Sequence, residues 1–200
     1  WRNPSQDPVS ELWFHLYLHA FKNTRSTFFR ESGGPLRGDR AASDKWGWID
    51  VSSMKLPDGT DLLPSLGFEH PDDDNGEDQT VARVRLPEPV PPGGSITLDI
   101  GFKAQLPQVF ARTGFRRDYF LVGQWFPKLG VYEPAGTRGR QAGGWNCHQF
   151  HANSEFYADY GHFKVEITVP ARFVVGATGE RKDRRENKDW TATHVFEHGD

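Results

Sequence analysis

Apolar and polar residues alternate most cleanly in "ELWFHLYLHA", residues 11–20, where Leu12, Phe14, Leu16 and Leu18 fall on one side and Trp13, His15, Tyr17 and His19 on the other. A period of two over eight or more residues predicts a strand whose aliphatic side is buried. The same alternation returns in "SITLDIGFKAQ", with Ile96, Leu98, Ile100 and Phe102 on one face. "WGWIDVSSMKL", "QTVARVRL", "DYFLVGQWF", "HFKVEITVP", "RFVVGATGE" and "DWTATHVFE" read as further extended segments. "DLLPSLGFEH" reads as another, interrupted by Pro64, which suits an edge or a bulge. "NTRSTFFRESGGPLRGD" predicts a short helical or irregular piece and then a Gly/Pro loop. In "PDDDNGED" the Asn75-Gly76 pair can take the positive φ angles of a tight hairpin joining "DLLPSLGFEH" to "QTVARVRL". "EPAGTRGRQAGG" reads as a flexible loop.

About nine strands, almost no amphipathic helix and turn signals roughly every 8 to 15 residues predict an all-β fold, a sandwich or an open, curved pair of antiparallel sheets. No fixed-period repeat is visible, which speaks against a propeller or solenoid. Composition agrees: aromatics reach 14%, and 21 Gly with 14 Pro favour short strands and tight turns over long helices. A chain of 200 residues buries roughly 70% of its unfolded surface and needs no metal or disulfide to fold. The formal net charge of −3 offers no broad cationic surface, so nucleic acid is not an expected partner. Cys147 is the single cysteine, so no internal disulfide forms. No apolar run approaches the roughly 18 to 20 residues of a membrane-spanning helix. The chain opens on Trp1 and ends on "FEHGD" directly after a strand-like stretch, which reads as a segment of something longer.

"GWNCHQFHANSEFYADYGHF", residues 143–162, concentrates the groups able to do chemistry. Cys147, His148 and His151, with Glu155, are a conceivable zinc set. Their spacing fits no standard pattern, and on a strand Cys147 and His148 point to opposite faces. The segment therefore reads first as a polar, aromatic strand and turn, with no metal ligand in it. Asp72, Asp73, Asp74, Glu77 and Asp78 lack the spaced order of a calcium loop and read as a solvated hairpin tip. The mixed-sign segment "ERKDRRENK" reads as a solvated surface loop. G-x-S-x-G, H-E-x-x-H, a Walker loop and a dinucleotide fingerprint are all absent, so no complete active site is encoded by motif. Trp46, Trp48, Trp125 and Trp145, each near a glycine, are candidates for an aromatic platform binding carbohydrate or peptide.

The order of segments carries more than any single residue. "LWFHLYLHAFKNTRSTFFRE", "LPEPVPPGGSITLDIGFKAQLP", "GQWFPKLGVYEP" and "WNCHQFHANSEFYADYGHFKVEITVPARFVVGATGE" follow one another. This succession, from about Trp1 to Phe196, resembles the amino-terminal domain of bacterial zinc-dependent aminopeptidases of the aminopeptidase N family. The resemblance implies a saddle-like antiparallel β-sandwich forming one domain over 1–200. It implies that catalysis and zinc belong to a following thermolysin-like domain carrying H-E-x-x-H, absent here, so that this segment is inactive alone. Its expected partners are that catalytic domain of the same chain and, through the whole enzyme, a peptide substrate. Some relatives are exported or membrane-tethered, which implies an extracytoplasmic place. Many members carry a Gln or Glu shortly before the Phe-Pro turn that reaches the substrate amine. Gln124 is the one carboxamide close to Phe126 and Pro127, and it sits nearer the turn than that pattern. Two alternatives stand beside this expectation: a free-standing aromatic-rich sandwich that binds carbohydrate or peptide, and a scaffold domain of a catalytically dead relative.

Overall fold

A computed structural model describes residues 1–33, 35–36, 39–40, 45–108 and 111–199. The chain forms two compact units, Trp1–Ala158 and Asp159–Asp200. It is an all-β protein built from antiparallel pairs, with no closed barrel among the described residues.

In the first unit β1 (Val9–His15) turns Leu12 and Phe14 inward, as their alternation predicts. The alternation ends there. At Leu16 the backbone leaves strand geometry and winds into a 3-10 turn over Tyr17–Phe21, all five of whose residues are buried. His15, Tyr17 and His19, expected on an outer face, are therefore inside. A run with aromatic or aliphatic bulk on both of its faces gains more from complete burial than from a half-solvated strand.

The helix expected after it is α1 (Thr27–Ser32), opened by the Ser26 hydroxyl accepting from Phe29 N–H and closed by Gly33 at φ 65°. The Gly/Pro loop expected next falls partly on Gly34, Arg37 and Gly38, which lie outside the described residues; around them β2 (Pro35–Leu36) pairs with β3 (Asp39–Arg40). Then come β4 (Trp48–Lys55), β5 (Gly67–Phe68) and the long β6 (Val81–Val90). The segment expected to extend through Pro64 is a 3-10 turn at Leu63–Ser65 followed by the two residues of β5. Between the Val9–Val90 and Glu11–Arg85 pairs of β1 and β6, the register shifts so that Ser10 alone opposes residues 86–89. That bulge accommodates Pro87 and Pro89, which have no N–H to give a ladder.

The unit continues with β7 (Asp99–Gln105), paired along its length with β4, and the hairpin of β8 (Gly114–Arg116) and β9 (Tyr119–Leu121). After them come β10 (Lys128–Leu129), β11 (Val131–Glu133) and β12 (Gly144–Asn146). The largest sheet of this unit runs β10-β1-β6-β5, and β11 pairs with β12. Two apolar clusters support it. One gathers Leu16, Leu18, Phe21, Phe28, Phe29, Ile49 and Phe150, with Phe28 stacked on Phe150 at 5.0 Å. The other gathers Leu12, Phe14, Met54, Leu62 and Val84, with Ile96, Leu98 and Ile100 packed against it. Each fully buried side chain of this size contributes on the order of 2 kcal/mol before entropy is counted.

The second unit is a three-stranded sheet in the order β13 (Phe163–Pro170), β15 (Thr191–His198), β14 (Glu180–Glu186). β14 corrects an expectation: "ERKDRRE" is a strand, not a loop. All seven of its residues are exposed, and its ladder runs on one side only, to β15. Backbone pairing at an edge needs no apolar side chain, which is why the pattern gave no sign of it. Conversely, no strand forms over residues 172–179, although "RFVVGATGE" reads as one; Val174 is 98% exposed.

Candidate functional site

The 143–162 stretch begins as β12, held against β11, and leaves the ladder after Asn146. Cys147 then turns inward. It is 2% exposed, and its Sγ lies 3.7 Å from Nδ1 of His15, whose ring stacks on Tyr17 at 4.5 Å. Burial, helped by Lys128 and His148, drives His15 down to about 3 and leaves it neutral. Burial likewise pushes the Cys147 thiol well above its ordinary range, with Asp72 adding to the effect. A protonated thiol beside a neutral imidazole is a packed core pair, not an activated nucleophile.

His148 and His151 turn the other way, to Asp72. His148 Nδ1 donates to Asp72 Oδ1, while His151 donates from Nε2 to Asp72 Oδ2 at 3.2 Å and from Nδ1 to Glu31 Oε1 at 2.7 Å. A carboxylate oxygen beside each ring nitrogen favours the protonated form of His151. Partial burial works against that charge, but the bonds to Glu31 and Asp72 win and its pKa is raised. Burial pushes Asp72 upward, yet bonds from His148, the Gln149 amide and His151 outweigh it and hold the carboxyl below its usual value. Backbone amides complete the cluster: Gln149 N–H donates to Asp72 at 2.7 Å, and Ala152 N–H to Glu31 at 3.0 Å.

The acidic loop beneath is a structural element, which corrects the expectation of a solvated tip. Asn75 and Asp78 are buried, and neither Asn75 nor Gly76 takes a positive φ. Asp78 accepts from Thr27 N–H at 3.0 Å and from Thr80 N–H at 2.8 Å. Asn75 donates to Arg25 O and Thr27 Oγ1, Asp73 accepts from Thr27 Oγ1, and Gln149 bridges Thr27 and Asp73. The loop thus ties the start of α1 to residues 148–152. Glu31, Thr27 and Gln149 carry no signal of this role in the sequence. Their partners lie 46 to 122 residues away, and no local pattern marks them.

Cys147, His148 and His151 therefore do not converge: the cysteine faces His15 and the histidines face carboxylates. Among the described residues no three His, Cys, Asp or Glu side chains are arranged to hold a metal ion. Glu155 instead pairs with Arg112 at 2.7 Å. The four tryptophans do not make one platform either. Trp46 packs on Phe29 at 6.0 Å and Trp125 on Phe102 at 5.8 Å, Trp48 is half-buried on β4, and Trp145 sits with Trp1 and Tyr132.

Gln124 lies just after β9, at φ 54°, with its side-chain oxygen accepting from Lys128 Nζ. Burial lowers the Lys128 pKa. Beside it the β8–β9 hairpin leaves Tyr119, Phe120, Leu121 and Val122 between 40% and 63% exposed. Thr113 Oγ1 fastens the hairpin's exit by donating to Gly123 O at 3.0 Å. Consecutive strand residues face opposite ways, so apolar side chains stand on both sides of this hairpin. Compared with models of protein families, with curated proteins and with solved structures, the chain gave no match.

Proposed function

We propose that this chain is the non-catalytic amino-terminal β-domain of a zinc-dependent aminopeptidase of the aminopeptidase N family, which walls the active-site cleft and limits access to peptides. The order of sequence motifs supports the reading, and the all-β antiparallel architecture agrees with it. The observation that carries it furthest is the exposed apolar β8–β9 hairpin running directly into Gln124, Phe126 and Pro127. In this reading a neighbouring domain covers this row of partly exposed residues, Tyr119, Phe120, Leu121 and Val122. In this reading they pack at the rim of the catalytic domain's cleft.

Zinc, held by the catalytic domain, polarises the scissile carbonyl and activates water there. In this chain Cys147 faces His15, and His151 is bonded to Glu31 and Asp72. Gln124 is the side chain proposed to reach the substrate amine. Its oxygen accepts from Lys128 Nζ and keeps a second lone pair for the ligand ammonium.

The test is to measure zinc content and hydrolysis of amino-acid anilides on the full-length gene product and on residues 1–200 in parallel. The expected result is zinc and activity in the longer chain alone, with Gln124→Ala raising KM several-fold at little cost in kcat. A full-length product without zinc or peptidase activity overturns the proposal. Unchanged kinetics in Gln124→Ala removes that residue from it.

A further inference from the structure

A shallow groove of about 230 Å³ lies in the first unit where β1 passes β11 and β12. Its walls include the rings of Trp13, Tyr132 and Trp145, with Glu11, Ser10 and Gly143 among its other residues. Its volume is below the roughly 300 Å³ at which pockets for drug-sized ligands begin, so it has room for about one ring. We propose that this groove is a carbohydrate site that stacks a single pyranose ring.

The aromatic faces are half-exposed and fixed in place. Tyr132 meets Trp145 edge-on at 5.2 Å, and Trp1 backs Trp145 at 5.3 Å. A Cβ at Gly143 would come within 2.6 Å of the Tyr132 hydroxyl, so only glycine lets that ring lie where it does. Ahead of β1, Asn3 pins the chain: its Nδ2 donates to Asp7 O and Val90 O, and its Oδ1 accepts from Ser5. Walls held this way lose little entropy when a ligand arrives.

Charge and donor use decide between ligands that favour aromatic grooves. A quaternary ammonium would use the same ring faces, but it gains most where negative charge beside them is uncompensated. Here the Glu11 carboxylate already faces Arg83 at 3.1 Å. A proline-rich peptide docks in aromatic-lined grooves, where an indole N–H is the natural donor to its carbonyls. Both indole donors are engaged, Trp13 Nε1 by Glu11 Oε1 at 2.8 Å and Trp145 Nε1 by Glu11 O at 3.1 Å. What remains free are ring faces, the unused lone pairs of a carboxylate that can accept about four hydrogen bonds, and the Ser10 hydroxyl. Apolar C–H faces and equatorial hydroxyls of a neutral sugar match that set. The site is independent of the peptidase proposal, and either can fail without the other.

The test titrates residues 1–200 with the methyl glycosides of glucose, galactose, mannose and N-acetylglucosamine. It is followed by saturation-transfer difference NMR and by the indole N–H resonances of a ¹⁵N-labelled sample. The expected result is that at least one glycoside binds with a Kd on the order of 1 mM and shifts the Trp13 and Trp145 indole signals. Trp13→Ala and Tyr132→Ala each weaken it about fivefold or more, while Trp13→Phe keeps most of the affinity. Three results overturn the proposal: no binding by any of the four, binding that leaves both indole signals unmoved, or shifts of those signals by tetramethylammonium or triproline and by no sugar.

Discussion

Asp78→Ala removes the carboxylate on which the acidic loop is built. Asp78 is fully buried, and its oxygens accept from the backbone N–H groups of Thr27 and Thr80 and from the Thr80 hydroxyl. The hydroxyl can turn to another acceptor, and its oxygen still receives the Phe150 N–H at 3.1 Å. The two amides have no such freedom. A buried donor left without a partner costs about 1–3 kcal/mol, so alanine costs roughly 2–6 kcal/mol in all. Asp78→Asn keeps one acceptor oxygen but sets an N–H₂ against one of the two amides, so about half that loss is expected. Urea unfolding followed by tryptophan fluorescence measures both, and for a chain of this length each kcal/mol lowers Tm by about 2–4 °C. A loss under about 1 kcal/mol in the alanine variant, or equal losses in the two variants, refutes the donor count.

Three further outcomes are expected. His151→Ala costs on the order of 0.5–1 kcal/mol, discounted because Glu31 and His151 are partly solvated. His151 has a raised pKa, so its contribution is whole below its unfolded value of about 6.5 and is lost as pH rises through the folded value. Asp72 has a lowered pKa, so its contribution holds above about 3.9 and is lost as pH falls through the folded value; a wild-type-minus-variant stability difference without a maximum between these limits contradicts the clamp. Cys147 stays unlabelled by a disulfide reagent until the chain unfolds, and stoichiometric labelling within minutes in buffer alone contradicts its placement. Gly179→Ala drives a Cβ to 2.4 Å from Glu197 O at a φ of 95°, so hydrogen exchange of the β14–β15 amides accelerates at least tenfold; unchanged exchange rejects the clash.

Much of the fold is legible where one face of a strand is apolar. The alternation of Ile96 to Phe102 and of Val165, Ile167 and Val169 locates β7 and β13, and "STFFRE" locates α1. Legibility fails where the face rule does not apply. Leu16–Phe21 is buried on every side, so its alternation carries no facing information, and β14 buries nothing. The site was less readable than the fold. Cys147, His148 and His151 attracted notice by type, but which way each one turns depends on His15, Asp72 and Glu31, more than 75 residues away. Hydrogen bonds over such separations leave no periodicity. Of the extended segment expected over "DYFLVGQWF" only Tyr119–Leu121 is a strand, and its pairing with β8 and its solvent exposure follow from tertiary context alone.

The span of the Glu31–His151 and Glu31–Ala152 contacts, 120 and 121 residues, bears on how the molecule is made. Closing a loop of that length costs only about 1.5RT times the logarithm of its length, but nothing repays it until both ends are in place. As the chain leaves the ribosome, α1 and the acidic loop emerge long before residues 148–152, with Phe28 and Phe29 awaiting Phe150. The first unit therefore completes itself late, by capturing a returning segment. A ribosome stalled short of residue 152 holds a chain that proteases cut within α1, whereas one stalled some 30 to 40 residues further on holds a resistant one.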